Sequence, residues 1–123
     1  MRVVVTGANG FIGLHTVREL LNVGYDVIAV DMVDSKLQTE FHENERCTII
    51  LMNILDEDLK HLIKKGDKVF HLAAIPKFDE ARQNPQKAVR VNVEGTLNVI
   101  QACLEKKAEI LVYSSTGSVY SRN

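Results

Sequence analysis

Arg2-Val3-Val4-Val5-Thr6-Gly7-Ala8-Asn9-Gly10-Phe11-Ile12-Gly13 decides how this chain folds. An unbroken apolar run such as Arg2 to Thr6 is what a strand needs when both of its faces are covered. Three glycines at three-residue spacing follow at once, and the pattern then changes period. Val17, Leu20 and Leu21 share one helical face, which predicts a helix from about Gly10 to Val23. Gly24 is placed to end it. Tyr25 to Asp31 returns to a strand-forming run. Residues 2–31 therefore read as one strand–helix–strand unit with a parallel crossover.

Within that unit each glycine has a chemical reason to be there. Gly7 allows the tight turn off the strand, Gly10 lets backbone approach a diphosphate, and Gly13 lets the helix pack near the sheet. The amides of Phe11 and Ile12 open the helix, whose positive end favours phosphate. Asp31 closes the second strand, where a carboxylate accepts hydrogen bonds from the two hydroxyls of an adenosine ribose. A carboxylate repels a 2′-phosphate, and Met32 and Val33 follow it where an Arg would be needed, so the pattern favours NAD over NADP. The bland readings are a mere turn for the glycines and a solvated strand end for Asp31.

Further along, the same alternation continues. Asp34 to Asn44 is polar and reads as a loop with at most a short helix, and Cys47 to Met52 as a third strand. Asp56 is a helix N-cap with Glu57 and Asp58 in the first turn, and Lys64, Lys65 and Gly66 end that helix. Lys68 to Leu72 is a fourth strand. Asn84-Pro85 starts a long helix reaching about Lys107, with Val89, Val93, Leu97, Ile100 and Leu104 on its inner side. Ile110 to Ser114 is a fifth strand. The whole predicts an α/β, Rossmann-type doubly wound parallel sheet in the order 3-2-1-4-5, one incomplete cofactor-binding domain over residues 1–123.

Composition bounds the partners. The chain has 123 residues, 46% hydrophobic and 25% charged, with a net charge of −1. Its Lys and Arg are scattered, which argues against a nucleic-acid partner. No apolar run reaches the roughly 20 residues of a membrane span, and Met1 runs straight into a strand rather than a signal peptide. A cytoplasmic protein is expected. Cys47 and Cys103 read as reduced thiols, not a disulfide. His15, His42 and His61 have no metal-ligand spacing.

The loop Thr6-Gly7-Ala8-Asn9-Gly10-Phe11-Ile12-Gly13 resembles that of the extended short-chain dehydrogenase/reductase family, the NAD-dependent sugar-nucleotide epimerases and dehydratases. Four further segments resemble it in the family's order. They are Asn53-Ile54, with Asn where the family's adenine-contacting pair usually has Asp; His71-Leu72-Ala73-Ala74; Asn92-Val93-Glu94-Gly95-Thr96; and Ser114-Ser115-Thr116-Gly117-Ser118-Val119-Tyr120. The resemblance implies NAD contacts from Gly7, Asn9, Gly10, Phe11, Ile12, Gly13, Asp31, Asn53, Ile54, Leu72, Ala73, Ala74, Asn92 and Ser114. Taken alone, Leu72 to Ala74 also fit a small-residue strand end, and Asn92 also fits a helix residue bonding a neighbouring loop. His71 reads as a packed or locally bonded histidine rather than a catalytic one.

In that family a Tyr exchanges a proton with a substrate hydroxyl, a Lys four residues on lowers its pKa, and a Ser or Thr hydroxyl bonds the same oxygen. The resemblance assigns the last role to Thr116, ahead of Ser115. No Tyr-x-x-x-Lys occurs in these 123 residues: Ala29 follows Tyr25 by four, Gly117 follows Tyr113, and Tyr120 is the last tyrosine. The expectation is thus an N-terminal portion, inactive alone, of an enzyme acting on a nucleotide sugar. A family member acting on another alcohol or ketone, or a non-catalytic NAD-binding remnant or scaffold, is the alternative. The free edge of the fifth strand invites a homo-oligomer.

Overall fold

The computed structural model describes residues 1–116 and Tyr120. Five strands, β1 (Arg2–Thr6), β2 (Asp26–Asp31), β3 (Cys47–Leu51), β4 (Lys68–His71) and β5 (Ile110–Tyr113), form one parallel sheet. Their order is β3-β2-β1-β4-β5, as the alternating pattern predicts. β1 lies at the centre with Val3, Val4 and Val5 fully buried, because helices cover both of its faces.

The two faces carry separate cores. On one, Val17 and Leu21 of α1 (Phe11–Asn22) join Leu37 and Phe41 of α2 (Ser35–Phe41) against Val3, Val5, Val27 and Ala29. On the other, Ile54, Leu59, Ile63, Val99, Ala102 and Cys103 pack on Val4, Val30 and Val69. Cys47 packs on the first core and Cys103 belongs to the second, and both are free thiols. α1 ends where predicted: Gly24 takes φ +98°, and the amides of Val23, Gly24 and Tyr25 bond back to Glu19, Leu21 and Leu20.

The predicted helix after Asp56 is instead a 3₁₀ segment, Glu57–Leu62, ending short of Lys64 to Gly66. Asp56 does cap it, its side chain accepting from the Asp58 amide at 2.8 Å. Asp67 holds the turn between this segment and β4, taking Arg2 in a two-point ion pair and the Lys64 amide at 2.8 Å.

The long helix from Asn84 is also corrected. A separate helix, α3 (Phe78–Gln83), precedes it, and Asn84 with Pro85 then starts α4 (Pro85–Val89). A π-helical segment, Arg90–Gly95, leads into α5 (Thr96–Lys106). The inner face is not the predicted one. Val89, Val93, Leu97, Ile100 and Leu104 are exposed, whereas Ala88, Gly95, Val99, Ala102 and Cys103 face the core. The reason is distance. A Cβ on Gly95 would lie 2.9 Å from Ile54 Cγ1, so where the π-helical segment meets the turn after β3 there is no room for a larger side chain.

Candidate cofactor site

All five strands end at one edge of the sheet. The strand ends, the loops leaving that edge and the start of α1 carry most of the residues singled out above, while Asn92 reaches the loop after β4 from the π-helical segment. In a parallel sheet this carboxyl edge is where ligands bind, at the point where strand order reverses on either side of the central strand.

The glycine loop leaves β1 there and is held on three sides. The Ala8 amide bonds Val30 O at 3.2 Å, and the Asn9 amide bonds Asp31 Oδ2 at 3.0 Å. The Asn9 side-chain oxygen accepts from the Lys36 and Leu37 amides, each at 3.0 Å, and so secures the first turn of α2. Asn9 is buried and ties the loop to its neighbours. Asp31 serves the loop as well as the surface: Oδ1 accepts from Met32 N at 2.7 Å. Val33 N adds a longer contact to Oδ1 at 3.4 Å. Two carboxylate oxygens offer about four acceptor sites, so the half-buried Asp31 retains room for one further donor on Oδ2.

The glycines form a cradle that side chains would fill. Gly7 takes φ +69°, and a Cβ there would stand 2.6 Å from Ala73 N. A Cβ on Gly13 would stand 2.8 Å from Ala8 Cα, and one on Gly10 would stand 3.3 Å from Gly7 O. Phe11 and Ile12 begin α1 with exposed side chains, and the first helical bond runs from Leu14 N to Gly10 O at 2.9 Å. The amides ahead of Leu14 therefore have no partner one turn back and face the carboxyl edge. Close-approach glycines, a helix start rich in donors and a strand-end carboxylate fit a dinucleotide.

The opposite wall is the loop after β4. Leu72 and Ala73 are half-buried and Ala74 is exposed, with the Leu72–Ala73 peptide lying directly against Gly7. Asn92 grips the same loop farther on, its oxygen accepting from Ile75 N at 2.8 Å and its nitrogen donating to Ile75 O at 3.1 Å. That is the loop-bonding role the sequence left open for it.

After β3, the Asn53 oxygen accepts from Leu55 N at 2.9 Å, which shapes the turn. Ile54 is turned inward beneath Gly95, and Asn98 Nδ2 donates to Ile54 O at 2.6 Å and to Asp56 O at 3.0 Å. Ser114 and Thr116 follow β5 and are exposed. Gly117, Ser118 and Val119 of the same segment lie outside the described residues.

Three contributors escaped the sequence reading. Thr6 Oγ1 lies 2.7 Å from His71 Nδ1, and His71 Nε2 lies 2.9 Å from Thr96 Oγ1. Thr6 and Thr96 stand within motifs that give them no role, and Asn98 carries no signal because its partners are main-chain oxygens distant in sequence. His71 is buried, with its ring stacked on Tyr113 at 5.7 Å, and burial pushes its pKa down. It is a locally bonded histidine, as the sequence suggests. No cluster of metal-ligating side chains occurs among the described residues, nor is any helix there long and apolar enough to cross a membrane.

Comparison with known proteins gives this edge its context. Residues 3–123 match the NAD dependent epimerase/dehydratase family. A UDP-N-acetyl-α-D-glucosaminuronate decarboxylase of Bacillus cytotoxicus is 36% identical over 98% of this chain and 38% of its own length. A UDP-N-acetylglucosamine 4-epimerase from Methanobrevibacter ruminantium, solved with UDP-N-acetylmuramic acid, superposes with TM-score 0.89 at 32% identity, over 99% of this chain and 40% of its own. A UDP-glucuronic acid 4-epimerase variant from Bacillus cereus, solved with NAD and a fluorinated UDP-glucuronic acid, gives 0.87 at 34%, over 100% and 42%. The chain thus spans about two-fifths of the relatives it matches. With its glycine cradle, its strand-end carboxylate and a match running from β1 to the last residue, the chain belongs to the NAD dependent epimerase/dehydratase family.

Proposed function

We propose that residues 1–123 form the NAD-binding Rossmann portion of an enzyme acting on a nucleotide sugar. The observation that carries this is the cradle at the end of β1, where Gly7, Gly10 and Gly13 clear a path to the donor-rich start of α1 and Asp31 stands at the end of β2. In this reading the amides of Phe11 and Ile12 take the diphosphate, and Asp31 takes the adenosine ribose. Asn9 holds the loop. Asn53 borders the adenine and Ile54 supports that border from beneath. Leu72, Ala73 and Ala74 flank the cofactor, Asn92 steadies them through Ile75, and Ser114 closes the far end. The UDP-sugar substrates in the relatives' names support a nucleotide sugar over another alcohol or ketone.

NAD, when bound, supplies a hydride acceptor and donor. Of the groups that would act on a substrate hydroxyl, these residues hold Thr116 as the positioned hydroxyl and no Tyr-x-x-x-Lys pair. Residues 1–123 on their own therefore bind cofactor without turning over a nucleotide sugar, and self-associate through the β5 edge. Titration calorimetry with NAD and NADP tests the binding. NAD is expected to bind at least about tenfold tighter than NADP, a difference of about 1.4 kcal/mol, and Asp31→Ala is expected to erase most of that preference. Equal affinity for the two cofactors in the parent chain, or no NAD binding at millimolar concentration, overturns the reading.

A further inference from the structure

At the carboxyl edge, the hydrogen bonds around His71 fix the direction of every proton. Thr96 Oγ1 donates to Asn92 O at 2.7 Å, one turn back in the helix, so its only hydroxyl proton is committed. It must then accept from His71, which places the proton on Nε2. Nδ1 is left with a lone pair and accepts from the Thr6 hydroxyl at 2.7 Å. With its own proton spent on His71, Thr6 Oγ1 accepts from the Ala73 amide at 3.3 Å and shares the Leu72 amide, at 3.2 Å, with the Thr6 main-chain oxygen at 3.1 Å. The Ala73 amide belongs to the peptide that a Cβ on Gly7 would strike, and the Leu72 amide lies one residue before it.

We propose that His71 is a positioning residue of the cofactor site, which, as the neutral Nε2–H tautomer, holds the Thr6 hydroxyl so that it fixes the Leu72–Ala73 peptide against Gly7. This rests on the reading that the cleft between the glycine loop and that peptide holds NAD. The second arm of the same chain runs through Thr96 and the Asn92 backbone to the residue whose side chain grips Ile75, so one imidazole ties both ends of the loop after β4.

Protonation undoes the arrangement. An imidazolium presents N–H at both nitrogens. Thr6 would face a donor with its own proton left unpaired, and would have to give up one of the amides it accepts. The groups hydrogen-bonded to or stacked on the ring are Thr6 from β1, Thr96 from α5 and Tyr113 from β5. Among the described residues no carboxylate is hydrogen-bonded to the ring or ion-paired with it, and Tyr113 is the one titratable contact. Burial also disfavours the charged ring.

The test uses the full 123-residue chain labelled with ¹⁵N. Long-range proton–nitrogen spectra are expected to show His71 protonated at Nε2 and bare at Nδ1 at pH 7. Thr6→Val, which keeps the shape and removes the hydroxyl, is expected to speed amide exchange at Ala73, and less at Leu72, whose amide keeps the Thr6 main-chain oxygen, and to weaken NAD binding about tenfold, the scale of one lost buried hydrogen bond. Thr6→Ser is expected to restore both. NAD affinity of the parent chain is expected to hold from pH 8 down to the ordinary imidazole value of about 6.5, to fall only below it because burial disfavours the charged ring, and to fall less in His71→Phe. A chain that shows the tautomer and the exchange effect yet binds no NAD supports the positioning and overturns only the cofactor reading. A proton on Nδ1 at pH 7, or equal exchange and equal NAD affinity in Thr6→Val and Thr6→Ser, overturns the proposal.

Discussion

Gly7 and Gly24 both occupy the left-handed backbone region, and comparing them separates strain from collision. A Cβ on Gly24 would meet its nearest neighbour, an Arg46 side-chain atom, at an ordinary 3.7 Å, whereas one on Gly7 would strike the Leu72–Ala73 main chain. Gly24→Ala is expected to cost about 1–2 kcal/mol, the strain alone. Gly7→Ala adds a backbone displacement and is expected to cost about 3 kcal/mol or more; urea titration of both variants measures the difference. The thiols make a second residue-scale prediction. Burial pushes Cys47 up to about 11 and raises Cys103. Both therefore stay protonated at pH 8, and a disulfide reagent is expected to modify them slowly in the native chain and rapidly in urea. His71 acts on the acid side. Its folded-state pKa is lowered, so the unfolded chain binds the extra proton first as pH falls below the ordinary imidazole value of about 6.5. Its contribution to stability is whole above that pH and declines below it. Thermal midpoints measured from pH 8 to pH 5 are expected to fall less steeply in His71→Phe.

At the level of elements, the segment from Pro85 to Lys106 shows how composition and burial can diverge. Its bulkiest stripe, Val89, Val93, Leu97, Ile100 and Leu104, faces away from the sheet, and its smaller stripe faces inward. Val99→Ala is expected to cost about 1–3 kcal/mol through lost contacts and a cavity. Leu97→Ala, on the exposed face, is expected to stay within about 0.5 kcal/mol. The opposite ranking in denaturant unfolding would mean that the bulky stripe is covered in solution. The π-helical segment belongs to this scale too. It carries Asn92 to Ile75 and Gly95 to Ile54, and Thr96, which reaches His71, begins at its end, so three residues of one short motif each brace a different part of the carboxyl edge.

For the molecule as a whole, β3 and β5 are both edge strands, and β5 carries the more exposed apolar side chains. Among the described residues β5 pairs with β4 alone, and Ile110, Val112 and Tyr113 are exposed. An open strand edge beside exposed apolar side chains favours pairing between copies. Size-exclusion chromatography with light scattering, run across a concentration series, is expected to show a mass that rises with concentration. A clean monomer at the highest concentration would remove the edge-pairing proposal while leaving the cofactor reading intact.

What the sequence determined by itself was whatever depends on neighbours along the chain. The apolar run of β1, the glycine spacing, the change of period into α1 and the caps at Asp56 and Asn84 are local, and strand order followed from crossover handedness and alternation. Gly7, after β1, and Asp31, at the end of β2, stand at the carboxyl edge, and Asn92 grips the loop that leaves β4 there. Only the tertiary structure decided which face of α5 is buried, through contacts between segments far apart in sequence: Val99, Ala102 and Cys103 pack against Val4, Val30 and Val69 of the sheet and against Ile54 and Leu59 beyond β3. It also decided the roles of Thr6, His71 and Thr96. A hydroxyl has no periodic signature, and its function appears only when β1, β4 and α5 bring three side chains within hydrogen-bond reach of one another.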